Sequence, residues 1–155
     1  MIRLSRMADY AVVIMSRLAM DSTDVPAPQS ALQLSDATGL SQPTVSKVLK
    51  YLVKSGVVTS ARGSHGGHSL ARSPATITVA DIIEAVDGPI ALTDCSDHHS
   101  TACDIEKLCP TSKGWKKLNH AVKQALATVT LADMMMEPWE QFPLPPHKSP
   151  ALNVA

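Results

Sequence analysis

The stretch Ser41-Gln42-Pro43-Thr44-Val45-Ser46-Lys47-Val48-Leu49-Lys50-Tyr51-Leu52-Val53-Lys54-Ser55-Gly56 decides the reading of this chain. Ser41 is an N-cap residue, and Pro43 falls in the first helical turn, where its missing N–H costs nothing. Val45, Val48, Leu49, Leu52 and Val53 recur at helical spacing and form one apolar stripe, which Gly56 ends. With that stripe inward, Gln42, Thr44, Ser46, Lys47, Lys50 and Lys54 fall largely on the outer face. Just upstream, Ser30 and Gln33 have capping-box spacing and open a short helix that stops at Gly39. Two helices joined across a tight glycine turn, the second polar on its outer face, predict a helix-turn-helix.

Downstream, Val57-Val58-Thr59-Ser60 and His68-Ser69-Leu70-Ala71-Arg72 flank the glycine-rich Arg62-Gly63-Ser64-His65-Gly66-Gly67. Two β-type runs around such a loop read as a hairpin, the wing of a winged helix. A first helix is expected from about Ser5 to Met20, with Ala8, Ala11, Met15 and Leu18 at helical spacing. Another starts at Thr78, turns Val79, Ile82, Ile83 and Val86 inward, and ends at Gly88-Pro89. A long helix is expected from about Ser112 to Met136. Its residues Trp115, Leu118, Val122, Ala125, Val129 and Ala132 alternate by three and four, the spacing that suits a partner helix.

The predicted fold class is therefore mostly α: a winged helix-turn-helix with a small β-hairpin wing and a long C-terminal dimerisation helix. The expected organisation is residues 1–75 for DNA binding, 76–92 as linking helix, 93–111 as cysteine loop and 112–136 as dimerisation helix. Residues 137–155 form a proline-rich tail expected to be disordered.

The formal net charge is zero, but it is unevenly placed. Residues 1–73 hold eight lysines and arginines against four aspartates, and the remainder six lysines against ten acids. No acidic side chain stands between Ser41 and Asp81. That one-signed run suits a surface laid against phosphates. Gln, Thr, Ser and Lys can bond base edges, and a wing arginine such as Arg62 can enter a narrow minor groove. The DNA-contacting set expected is Ser41, Gln42, Thr44, Ser46, Lys47, Lys50, Arg62 and His65, with double-stranded promoter DNA as partner. The opening stretch is broken by Arg3, Arg6, Asp9 and Arg17, so neither a signal sequence nor a membrane span is expected, and the cytoplasm is the expected location. No hydrolase or nucleotide-binding motif accompanies the acidic residues, and an enzyme is not expected.

Cys95, Cys103 and Cys109 stand in a C-x7-C-x5-C arrangement. An odd cysteine count in a reducing compartment speaks against a disulfide framework. The spacings are wider than the C-x2-C knuckles of structural zinc sites. Asp94, Asp97, His98, His99, Asp104 and Glu106 surround the sulfurs, which is poor company for inert buried thiols. Three thiolates favour zinc or an iron–sulfur cluster, with His98 and His99 as neighbouring candidates for a fourth ligand. A zinc- or thiol-redox switch on the same scaffold is the alternative.

The wing Arg62 to Arg72, the segment Ile82-Ile83-Glu84-Ala85-Val86-Asp87-Gly88-Pro89-Ile90, the three cysteines and Leu131-Ala132-Asp133 together carry a resemblance. The chain resembles the bacterial winged-helix family containing the iron–sulfur regulator IscR and the nitric-oxide sensor NsrR. Thr44-Val45-Ser46-Lys47-Val48-Leu49 is similar to the subgroup that regulates SUF iron–sulfur assembly. The resemblance implies a homodimer with crossed long helices and a cluster held by Cys95, Cys103 and Cys109, expected as [2Fe–2S] rather than [4Fe–4S]. It further implies that cluster occupancy changes DNA affinity, with repression of SUF genes as the expected output. Two departures stand out: the Cys95–Cys103 interval is longer than in IscR-like members, and Ser112 stands where they place a histidine. NsrR-like members take an aspartate from the partner's first helix, and Asp9 matches that position.

Overall fold

A computed structural model of the protein describes residues 3–20, 27–63, 66–96, 103 and 108–135. Five helices and one hairpin follow in the order α1 (Arg6–Met20), α2 (Ala31–Thr38), α3 (Gln42–Lys54), β1 (Val58–Ala61), β2 (Gly67–Leu70), α4 (Val79–Asp87) and α5 (Ser112–Thr128). This is a winged helix.

The local signals act as their chemistry requires. The Ser30 hydroxyl accepts from Gln33 N at 3.2 Å while Gln33 Oε1 accepts from Ser30 N at 2.7 Å, closing the capping box of α2. Gly39 ends that helix with φ at 70° and its N–H bonded to Ser35 O, a left-handed cap that side-chain-bearing residues enter at a cost. Thr78 and Asp81 build the corresponding box on α4. Ser5 caps α1 by accepting from Ala8 N at 3.0 Å, and its hydroxyl donates to Asp87 at the far end of α4.

The core lies where α1, α2, α3 and α4 meet. Ala11, Ile14, Met15 and Leu18 of α1 close on Leu34 of α2 and on Val45, Val48, Leu49 and Leu52 of α3. All are buried, as their helical spacing predicts, with Ile14 added. Val57, Val58, Ile77, Ile82 and Leu131 also belong to the cluster.

β1 and β2 pair antiparallel with Val58 opposite Leu70 and Ala61 opposite Gly67. A third piece of chain joins them. Gln29 and His68 exchange both backbone hydrogen bonds, at 2.9 and 2.7 Å, so the segment before α2 pairs with the return strand of the wing. That approach is close: a Cβ on Gly67 would lie 2.8 Å from the Gln29 backbone.

The long helix expected to reach Met136 ends at Thr128, and Met136 itself lies outside the described residues. Thr128, Val129 and Thr130 are β-branched in succession and favour extended backbone. Val129 O accepts from Val79 N and Leu131 N donates to Ile77 O, both at 2.8 Å, pairing this segment beside the start of α4. Asp133 then accepts from Thr130 N at 2.8 Å and Thr130 Oγ1 at 2.7 Å, capping a 3-10 turn over Asp133–Met135. Leu131 is fully buried in the winged-helix core. Residues 129–135 thus return to the body that begins the chain. The tail beyond lies outside the described residues.

Candidate DNA-reading face and cysteine loop

The core stripe of α3 leaves Ser41, Gln42, Ser46, Lys47 and Lys50 exposed, with Thr44 half-buried. Ser41 stands at the N-cap, yet its hydroxyl bonds Thr44 Oγ1 at 2.8 Å and caps no backbone amide. Its side chain therefore leaves the first-turn N–H groups of α3 unclaimed, and they add to the positive end of the helix dipole. An anion is favoured there.

Arg62 follows β1 directly and is exposed, while His65 lies outside the described residues. Arg72, at the other root of the wing, is engaged: it bonds Asp81 at 3.2 Å and Thr76 O at 3.3 Å. Burial pushes the Asp81 carboxyl up, but the Thr78 hydrogen bonds and the Arg72 charge outweigh it and hold the group below the usual carboxylate value. Between α3 and the wing lies a cleft of about 270 Å³ lined by Ser46, Lys50, Ser60 and His68, among others. Ser60 and the Gln29–His68 pairing were not legible as part of this face, because cross-chain pairing of single residues has no periodicity.

Cys95 sits in a 3-10 turn over Asp94–Ser96, with Sγ 3.2 Å from Thr93 Oγ1. The same hydroxyl is 2.9 Å from Ser96 Oγ, and Ser96 N donates to Thr93 O at 2.8 Å, so the turn is closed on itself. Cys109 lies just before α5, with Sγ 3.3 Å from Thr111 Oγ1. All three cysteines are free and half-buried. Among the described residues no group of three or more His, Cys, Asp or Glu side chains is gathered for a metal ion. The structure thus does not bring Cys95, Cys103 and Cys109 to one point, and His98 and His99 lie outside the described residues. Asp9 is exposed on the first turn of α1, in a groove of about 450 Å³ that also includes Arg3, Arg6, Val79 and Met134.

The Thr111 hydroxyl bond and then the Thr111 and Ser112 amides hold the Cys109 thiol below its usual value, against a small opposing effect of burial. Replacing Thr111 with valine removes the hydroxyl at similar volume. Cys109 alkylation by iodoacetamide near neutral pH is expected to slow roughly two- to fivefold as its thiolate fraction falls. The rate at a pH well above the thiol range is expected to stay the same, and peptide mass spectrometry reads both.

α5 has two unlike faces. Asn119, Val122 and Leu126 turn toward the body, Leu126 packing on the cluster of Ala8, Val79 and Ile83. Trp115, Leu118 and Ala125 are exposed, Trp115 at 41% and Leu118 at 47%, as is Val129 just past the helix. No helix among the described residues is long and apolar enough to cross a membrane.

The Rrf2 family model, described as an iron-dependent transcriptional regulator, matches residues 4–137. The chain belongs to the Rrf2 family of transcriptional regulators. The matched span takes in the winged helix, the cysteine loop and the α5 return. The regulator IscR of Yersinia pseudotuberculosis is 31% identical over 133 residues, covering 86% of this chain and 79% of that protein. Among solved structures, CymR, the global cysteine regulator of B. subtilis, superposes with a TM-score of 0.64 at 28% identity, covering 86% of this chain and 96% of that one. The T. potens IscR structure gives 0.62 at 28% identity and covers 93% of each chain. IscR is an HTH-type transcriptional regulator and CymR a global cysteine regulator, and this chain carries the same winged-helix scaffold.

Proposed function

We propose that this Rrf2 regulator is a homodimer whose affinity for promoter DNA is set by an iron–sulfur cluster on Cys95, Cys103 and Cys109. The observation that carries the reading is the pairing of an exposed, acid-free α3–wing face with three free thiols on a loop rooted in α5. The donor set fits such a group: none of the thiols is tied in a disulfide, and Cys109 is held in favour of its thiolate. When bound, the cluster supplies a redox-labile link between the three sulfurs. We assign [2Fe–2S] as its form and repression of SUF-type assembly genes as its output. Asp9 of the partner subunit is the fourth ligand we assign, since Ser112 offers no imidazole.

On the DNA side, Gln42, Thr44, Ser46 and Lys47 are assigned to base edges, Ser41 and Lys50 to phosphates, and Arg62 with His65 to the minor groove. The exposed apolar residues Trp115, Leu118 and Ala125 support pairing of α5 with its copy, since apolar side chains on one face gain by being covered. Ligation through Cys109 would restrain the start of α5. Just past the end of α5, Leu131 enters the core that α3 shares, so such a restraint would reach the DNA-reading helices. Two arrangements with different DNA affinity are required.

The test is anaerobic purification with iron, sulfide and zinc assays on one sample, followed by promoter-fragment titrations. Coloured protein with equal iron and sulfide is expected, and Cys103→Ala is expected to lose both. Lys47→Ala with Arg62→Ala together are expected to weaken DNA binding on the order of tenfold or more and to flatten its salt dependence. A colourless protein with stoichiometric zinc would overturn the cluster in favour of a zinc or thiol switch. Unaltered DNA binding in the double variant would overturn the assigned face.

A further inference from the structure

Within α5 the single buried residue is polar: Asn119, 9% exposed. A withdrawn amide is costly unless both its ends are bonded. Here both are. Oδ1 accepts from Leu92 N at 2.9 Å and Nδ2 donates to Ile90 O at 3.0 Å. Beside it, Glu84 Oε1 of α4 accepts from Lys123 Nζ of α5 at 2.6 Å. The segment leaving α4 is therefore held on α5 by side-chain bonds to its backbone, which fix position whatever side chains that segment carries.

The placement matters because the cysteine loop begins directly after the clamped segment. Cys95 comes three residues after Leu92, inside the closed turn of Thr93 and Ser96. Cys109 stands three residues before Ser112, where α5 begins. Entry and exit of the cysteine loop are thus referenced to the same first turns of one helix.

We propose that Asn119 is the positioning residue of the cysteine loop, setting where Cys95 stands relative to Cys109 by tying the loop's entry to the helix that carries its exit. The proposal deepens the ligand role given to these cysteines above, but its first measurement needs no metal. In reduced, metal-free, full-length protein, iodoacetamide alkylation is followed separately at each cysteine. Asn119→Ala removes both bonds and frees the half-buried Cys95, while Cys109 keeps its local Thr111 partner. The Cys95-to-Cys109 rate ratio is expected to rise on the order of tenfold. Asn119→Asp keeps the acceptor for Leu92 N–H and loses the donor to Ile90 O, so an intermediate ratio is expected.

An unchanged ratio in a variant that keeps the wild-type thermal transition would overturn the proposal. Should Asn119→Ala not fold, hydrogen exchange on the wild-type chain decides instead. The Leu92 amide is expected to be protected, and free exchange there overturns the assignment. A second arm uses the anaerobic coloured protein: Asn119→Ala is expected to lose its visible absorption to an iron chelator faster than wild type, and equal loss counts against the proposal. If the wild type carries no cluster, the cluster reading fails by itself and the alkylation ratio still decides Asn119.

Discussion

Leu131→Ala is expected to lower the stability of the protein by about 2–5 kcal/mol, the usual range for emptying a fully buried leucine site. The side chain is wholly buried, and its neighbours in the cluster come from α1, α2, α3 and α4. The segment cannot shift to fill the space, because its backbone is bonded to Ile77 and, through Val129, to Val79. Urea denaturation checks this, as a lower midpoint at unchanged slope. A solvent-exposed residue would instead cost about 0.5 kcal/mol or less in the same experiment, so a change of that size would contradict the return of residues 129–135 to the core. DNA affinity at low temperature, where the variant remains folded, is expected to fall as well, since this segment ties the chain just past α5 into the core that α3 shares.

Gly67→Ala is expected to act on DNA binding more than on global stability. Its Cβ would lie 2.8 Å from both Gln29 C and Gln29 O, and these are backbone atoms that no rotamer change can move aside. The strand segment must separate, and with it go the two backbone bonds between Gln29 and His68. Overpacking of this kind typically costs about 1–3 kcal/mol. The helical core is not touched, so circular dichroism is expected to keep its helical signal. The wing, no longer tied to the start of α2, loses its fixed angle to α3, and promoter affinity is expected to drop on the order of tenfold as that preorganisation is lost. Equal affinity for the variant and the wild type would mean that the wing's attachment does not matter for DNA.

The helix-turn-helix was readable because each of its signals is local. The Ser30–Gln33 box, the left-handed Gly39, Pro43 in a first turn and the stripe from Val45 to Leu52 all act within one or two turns of backbone, and the structure places each where its chemistry requires. The same holds for Thr78 and Gly88 at the two ends of α4. The heptad spacing beyond Ser112 was a weaker guide. It identified Trp115, Leu118 and Ala125 as exposed on α5, but it also counted Val122, which turns toward the body, and ran on through Val129 to Ala132, where β-branched residues and the Thr130–Asp133 cap stop the helix. Apolar spacing alone cannot tell a residue awaiting a partner helix from one that folds back into its own core.

By itself, then, the sequence determined the winged helix, the face of α3 that turns outward and the family to which the chain belongs. Tertiary structure alone decided that Leu131 closes the core, that Gln29 ties down the wing and that Asn119 pins the entry of the cysteine loop. The physical reason is range. Caps and amphipathic stripes draw their energy from residues within a few positions of one another, and so leave a pattern that can be read. These three join segments 27 or more positions apart through a pair of hydrogen bonds or one buried side chain, and such contacts exist only once the chain has folded.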